Sequence, residues 1–521
     1  MRGKIGWAAV VALGLRAGAV EEVYNVMDQG AAADGRTLCT AALQKALDAA
    51  GAAGGGTVRF PAGTFLTGAL LLRSGVTLQF DAGATLLGSR DLKDYYLPPA
   101  PGAAKPEPVF RNLLHGEGVH DVTIRGAGTI DGNGDAFRDD KHRRPKNLFF
   151  EKCANILVEG VRLRASGSWM QNYRLCTNVV IHGIAVFNHV TFNNDGLDID
   201  SSENVVISDC HVDSDDDGIC LKSTSGTPCR NVTISNCVSS SHCNALKLGT
   251  ESGGGFINIQ IANCTVFSPT NSQVIYGHQR GLAGLALEIV DGGTLENVSV
   301  SEVQIRGVSA PIFLRLGDRG RPYATGRRPG VGALRKVQLK NITAENCSTL
   351  GCAIAGLPGH PIEDVLLQNI SLGFEGGGNI TNTTRQIRER PEAYPECKMF
   401  GTLPAYGFYC RHVKGLRFEN IKLRTAAADA RHALLFDDAE AITVNGLDLA
   451  GATDAAALLR CVQTRGARFS GVALRAPADL LLHVEGDQTK NIVLEKSDVQ
   501  AAKRIYDLAT GLPAEAFKHQ P

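Results

Sequence analysis

The sequence predicts an all-β solenoid, and three observations carry that reading. First, Asn204-Val205-Val206-Ile207-Ser208-Asp209-Cys210, Asn231-Val232-Thr233-Ile234-Ser235-Asn236-Cys237 and Asn258-Ile259-Gln260-Ile261-Ala262-Asn263-Cys264 are versions of one segment, each starting 27 residues after the last. A repeat of this length on short β-branched runs indicates stacked coils. Second, glycine is abundant at 59 residues and aromatics make up only 6%; tight turns between short strands fit that composition better than a helical bundle does. Third, strand-like cores recur along the whole chain, among them Val122-Thr123-Ile124, Ile156-Leu157-Val158, Val298-Ser299-Val300 and Ile442-Thr443-Val444. A chain of 521 residues would ordinarily suggest several domains, but a solenoid core grows by adding coils. Residues 20–521 are therefore expected to form a single domain.

Taken in order, the N-terminus reads as a signal peptide over residues 1–19. Arg2 and Lys4 form a basic start, Ile5 to Leu15 is apolar but short, and Ala17-Gly18-Ala19 fits small-x-small cleavage. No later segment is long and apolar enough to suggest a membrane span. The expectation is a secreted or periplasmic protein. Val23-Tyr24-Asn25-Val26 opens with a strand, and helix formers from Thr40 to Ala50 predict a short helix capping the open end of the solenoid. Gly54-Gly55-Gly56-Thr57-Val58 begins the first coils. Larger gaps between strand cores mark insertions at Leu97–Arg111, Gln273–Leu285, Gly317–Leu334 and Gly376–Tyr406. Insertions in repeat proteins fall on loops and often build the binding face. The last, rich in Pro, Glu, Tyr and Asn, is the best candidate for a lid or subsite wall.

Charge is balanced, 53 basic against 53 acidic residues. Nothing global attracts nucleic acid or an anionic membrane, so an anionic ligand needs local basic groups. A monomer is expected. Fourteen cysteines in an exported chain raise the question of disulfides. Cys210, Cys237 and Cys264 share one repeat position and read as an unpaired interior ladder. Cys397 and Cys410 lie in irregular sequence and are better disulfide candidates. No spacing resembles a closed zinc site, and no metal or cofactor is expected.

The chemistry sits in Asn193-Asn194-Asp195-Gly196-Leu197-Asp198-Ile199-Asp200 and Asp215-Asp216-Asp217-Gly218. Asp195 and Asp216 are 21 positions apart, slightly less than one repeat (216 − 195 = 21). Residues about one repeat apart stack on neighbouring coils, roughly 4.8 Å apart. Asp195, Asp216 and Asp217 would then gather on one face. Carboxylates held together outside a core are the equipment of glycoside hydrolysis. Adjacent residues on a flat strand point to opposite faces, so Asp216 and Asp217 share a cleft only if the strand ends or bends there. Gly218 permits such a bend. Asp215 alone reads as a solvated turn. Asp198 and Asp200 alternate with Leu197 and Ile199 as exposed strand positions should, and either could line the cleft.

Tyr24-Asn25-Val26, Gly54 to Thr64 and Leu78 to Gly88 look like the opening of pectin-degrading β-helix proteins. Asn193-Asn194-Asp195-Gly196 and Asp216-Asp217-Gly218-Ile219 resemble two signature motifs of the polygalacturonase family, glycoside hydrolase family 28. Glu392-Ala393-Tyr394-Pro395-Glu396 and Leu403-Pro404-Ala405-Tyr406-Gly407 are similar to bacterial members in particular. The resemblance implies a right-handed parallel β-helix and inverting hydrolysis of galacturonate-containing plant cell-wall polysaccharide. It implies Asp216 as general acid, with Asp195 and Asp217 positioning the water. The family's Gly-His-Gly is not intact; Ser241-His242-Cys243-Asn244 stands there. His242, Asn244, Lys222 and Lys247 are candidates for sugar contact. The lysines read equally as salt-bridge partners on the solvated face. The family's basic pair is absent, with Ala286 and Glu288 in its place, and Glu288 would repel a galacturonate. Arg315, Arg319 and Arg280 are candidate substitute clamps from nearby loops, Arg315 first, with a structural arginine bridging Glu288 or Asp291 as the other reading. The alternatives are rhamnogalacturonan cleavage or exo-action, a polysaccharide lyase using Lys222 or Lys247 as base with Ca²⁺ on carboxylates, and a non-catalytic carbohydrate-binding β-helix.

Overall fold

The computed structural model describes residues 22–97, 107–140, 143–270, 274–323, 326–450 and 454–520. The expected signal peptide lies outside the described residues. Strands of 2 to 18 residues stack in register, and 39 of them join in one hydrogen-bonded system of parallel pairs. The coils wind as a right-handed parallel β-helix, the hand that parallel crossovers adopt almost without exception. The capping helix spans Thr40–Ala52 and buries Leu43, Ala46, Leu47 and Ala50 over the first coils. The opening strand is short, Val23–Asn25, and gives way to a 3₁₀ turn over Val26–Gln29.

The repeat seen in the sequence is one coil. Val205, Val232, Ile259 and Val298 stack in register, as do Ile207, Ile234, Ile261 and Val300. All eight side chains are buried in the core. Each repeat opens on an asparagine with positive φ, such as Asn204 (56°), Asn231 (55°) and Asn258 (58°). Asparagine tolerates this left-handed conformation better than most residues. The side chains form a ladder, Asn258 to Asn231 at 3.1 Å and Asn231 to Asn204 at 3.1 Å.

Cys210, Cys237 and Cys264 are buried in the interior cluster, as the repeat predicts. The Cys397–Cys410 pairing is not formed; both are buried free thiols. Cys410 points into the coil interior, whereas Cys397 packs with Phe400 and Leu403 against the outer face of the sheet. The wall of the helix separates the two sulfurs.

The sheet that carries the site contains Gln171–Arg174, Leu197–Asp200, Ile219–Ser223, Leu246–Ser252, Ala283–Ile289 and Ala310–Leu316. Its outer face has a central row of register partners: Asn172, Asp198, Cys220, Lys247, Ala286 and Phe313. The 376–406 insert packs on the end of this row, where Ala286, Phe313, Ala353 and Tyr409 share an outer apolar cluster with Cys397, Phe400 and Leu403.

Candidate active site

The three aspartates come together at the corners where coils turn into this sheet. The strand His211–Ser214 ends before Asp215 and the next, Ile219–Ser223, begins after Gly218. Asp216 and Asp217 therefore lie off the flat strand, as sharing a cleft requires. Gly218 serves close approach: a Cβ there would stand 2.3 Å from Ser239 Oγ and 2.5 Å from the Ala245 carbonyl oxygen. The Gly196 amide donates to the Asp217 carbonyl at 2.9 Å and the Gly218 amide to the Asn244 carbonyl at 2.8 Å. Asp195, Asp217 and Asn244 thus occupy the same corner of three successive coils, about 4.8 Å apart per coil, with Asp216 beside the middle one.

Two buried lysines distribute charge unevenly over the trio. Lys222 Nζ lies 3.1 Å from Asp195 and 3.4 Å from Asp198. Lys247 Nζ lies 2.9 Å from Asp217 and 3.9 Å from Glu288. Asn244 Nδ2 donates to the other Asp217 oxygen at 2.8 Å. Asp216 accepts from the Asp217 amide at 3.0 Å and from Asn193 Nδ2 at 3.4 Å. Among the described residues no lysine or arginine forms an ion pair with it. Burial, then the charges of Asp195 and Asp217, push its carboxyl well above the ordinary range. Burial also acts on Asp217, but Lys247, Lys222 and Asn244 outweigh it and hold this carboxyl below its ordinary value. Burial raises Asp195 against the pull of Lys222. Like charges in a dry site separate in just this way, one proton staying on the group with least cationic support.

The other sequence candidates take different places. Asn244, Lys222 and Lys247 belong to the site, bound to the aspartates. His242 does not face the groove. It is fully buried, with Nδ1 2.9 Å from the His278 carbonyl oxygen, and holds the 274–282 segment to its coil. Asp215 is no solvated turn: it is buried, and its oxygens accept from the Ile275 amide at 2.8 Å and the Tyr276 amide at 2.6 Å. Among the described residues His189, Asp215 and His242 form the one group with the donor types for a cation, their ligand atoms within 4.8 Å of one another. Both Asp215 oxygens already serve amide N–H groups, so the group reads as a buried clamp on that segment.

Arg315 is not a substrate clamp, nor does it bridge Glu288 or Asp291. It is buried, donating to the Gly356 carbonyl at 3.0 Å and the Glu389 carbonyl at 2.7 Å, with Phe400 5.3 Å from its guanidinium. It rivets the insert to the coils. Glu288 does not project a charge into the groove. Burial pushes its carboxyl to about 8, and one oxygen accepts from Thr250 Oγ1 at 3.2 Å. Asp198 and Asp200 face outward, yet both are buried beneath neighbouring side chains.

Four groups at the site were not singled out from the sequence. Tyr394, on the insert, places its hydroxyl 3.3 Å from Lys247 Nζ and keeps half its surface exposed. Trp169 lies under Lys222 (4.6 Å) and Lys146 (4.3 Å). Lys146 Nζ also donates to Asn172 at 3.1 Å. Arg144 reaches Asn193. Tyr394 was inside the predicted wall segment; the other three had no periodic or motif signal.

A coil stack with carboxylates at one corner and a wall of inserted chain defines a class of β-helix proteins. Residues 55–393 match glycosyl hydrolases family 28, and the chain belongs to that family. It is similar to a probable polygalacturonase from Vitis vinifera, 32% identical over 215 residues, covering 38% of this chain and 44% of that one. It is also similar to an exo-poly-alpha-D-galacturonosidase from Dickeya chrysanthemi, 37% identical over 124 residues, 22% of this chain and 20% of that one. The chain thus spans less than half the length of these two relatives. Among solved structures, an exopolygalacturonase from Thermotoga maritima shares the fold, with TM-score 0.58, 20% identity, and coverage of 78% of this chain and 92% of that one.

Proposed function

We propose that the chain is an exported, inverting glycoside hydrolase acting on galacturonate-containing pectic polysaccharide. Asp216 is the general acid that protonates the leaving oxygen. Asp195 and Asp217 hold the attacking water as ionised bases. The observation that carries this reading is the unequal pairing: Lys222 supports Asp195, Lys247 supports Asp217, and Asp216 has neither. An inverting hydrolase needs a protonated acid facing an ionised base. Family membership and the polygalacturonases among its relatives support the substrate class. Export rests on the basic-then-apolar opening of the sequence.

The pairing also disfavours a lyase. A lysine acting as base must be neutral, whereas neighbouring carboxylates outweigh burial at Lys222 and Lys247 and hold both in the protonated form. The insert further supports action at chain ends, because it covers the sheet beyond Lys247. Position 286 is apolar and buried, and Glu288 is held neutral, so neither grips a galacturonate carboxylate. We therefore favour a substrate with a neutral or differently placed sugar beyond the cleavage point, rhamnogalacturonan first.

The test is Asp216→Asn, which keeps shape and removes the proton. Activity on an unactivated pectic oligosaccharide should fall about 10²–10⁴-fold, the usual weight of acid–base catalysis. Near-normal activity would sink the assignment. Products absorbing as unsaturated sugars would instead indicate a lyase, and binding without products a carbohydrate-binding protein.

A further inference from the structure

Arg144 sits at the mouth of the site on the segment before Leu148–Glu151. One of its Nη groups donates to Asn193 Oδ1 at 2.8 Å and the other to the Phe192 carbonyl oxygen. Asn193 in turn donates from Nδ2 to Asp216 Oδ2 at 3.4 Å. Asn193 adopts a φ of 54°, at the corner just before Asp195. An amide side chain is ambiguous about which end faces a carboxylate. Arginine carries donors only, so the end it holds must be the oxygen. The amide N–H of Asn193 is thereby aimed at the acid.

Resting on the assignment of Asp216 as the acid, we propose that Arg144 is a positioning residue for it, acting through Asn193 and through its own charge. The guanidinium is close enough to Asp195 and Asp216 for both to favour its charged form. By reciprocity it favours the ionised form of Asp216 and moderates a proton that would otherwise be held too tightly to transfer. The other groups facing Asp216 act in known directions. Asp195 and Asp217 raise its pKa and Lys222 and Lys247 lower it. Cys243, Tyr276 and Tyr394 all titrate above their ordinary values and stay neutral.

The experiment is a pH profile of kcat and KM for Arg144→Gln, Arg144→Lys and Asn193→Ala, beside Asp216→Asn. The acid must be protonated, so its ionisation sets the alkaline limb. Removing the charge and the aimed N–H both raise its pKa. Arg144→Gln should move the alkaline limb upward by about half a pH unit or more. It should lower kcat roughly 10- to 100-fold, the cost of a misplaced group, with KM within about threefold of the parent. Arg144→Lys should return the limb towards its parent position. Asn193→Ala should move it in the same direction as Arg144→Gln, and it decides the matter if Arg144→Gln does not fold. An unmoved limb, or a loss wholly in KM, overturns the proposal; the latter would make Arg144 a substrate contact. If Asp216→Asn abolishes activity while the limb stays put, only this inference fails. If Asp216→Asn stays active, the acid assignment itself has failed.

Discussion

Glu288 is a carboxyl group removed from solvent. It is fully buried, its nearest cation is Lys247 at 3.9 Å, and burial raises its pKa from 4.5 to about 8. The unfolded chain releases that proton near the ordinary value, while the folded chain keeps it until about pH 8. Between those values the native state binds more protons than the unfolded state, so this group makes stability fall as pH rises. Glu288→Gln mimics the neutral form and should flatten the loss. The measurement is the thermal midpoint of both proteins at pH 5 and pH 8. The parent should lose more between the two than the variant, and equal losses would show that Glu288 titrates normally. The same logic separates the carboxylates proposed as catalytic. Burial raises all of them, and the two lysines then decide which ones ionise. Lys222 and Lys247 are therefore as much a part of the proposed acid–base arrangement as the aspartates they pair with.

At the scale of the coil, the repeat was legible because its chemistry is forced. Interior positions need β-branched or small apolar side chains in register, and the turn before each needs a residue that tolerates positive φ. Asn231 has φ of 55°, bonds to Asn204 and accepts from Asn258. Asn231→Ala should destabilise the protein by about 1–2 kcal/mol, the cost of the left-handed conformation for a residue with a Cβ. Asn231→Gly should lose less, since glycine adopts that φ freely. Equal losses for both would place the stabilisation in the side-chain ladder instead. The aspartate trio was legible for a related reason: its spacing is close to one coil and its flanks match a family motif. What sequence could not show was how irregular segments fold back. His242 falls one coil after Asp216, which suggested a groove position, yet the 274–282 segment covers it. Arg315 falls in register with Glu288, which suggested a shared subsite, yet it turns to the carbonyls of a segment some 74 residues away in sequence. Cys397 and Cys410 are near in sequence and lie on opposite sides of one strand layer. Arg144 and Trp169 come from loops whose paths no period predicts.

For the molecule as a whole, the 376–406 insert sets the shape of the groove. An open β-helix groove would run along many coils and admit a polymer anywhere along its length. Here the floor beyond Lys247 is covered: Ala286, Phe313 and Ala353 are at most 1% exposed, packed beneath Cys397, Phe400 and Leu403. Arg315 ties the segment down from inside by bonds to Glu389 and Arg390, and Tyr394 stands at the edge over Lys247. Tyr394 stands one coil from the proposed acid and the floor is covered from Ala286 onward, which leaves little room for sugars on that side, so cleavage should proceed from chain ends. On a long polymer, reducing ends should then accumulate while viscosity stays high, and a single short product should dominate from the first minutes. Running the assay in parallel on rhamnogalacturonan and unesterified homogalacturonan tests the second half of the proposal, with the higher rate expected on rhamnogalacturonan. A rapid fall in viscosity with a ladder of intermediate oligomers would mean that the polymer passes the wall. Efficient depolymerisation of homogalacturonan would mean that a cation elsewhere in the groove receives its carboxylate, since positions 286 and 288 hold alanine and glutamate. Arg319 is then the group to replace, since it lies beside Tyr394 at 5.9 Å and bonds Asp291 at the same end of the groove.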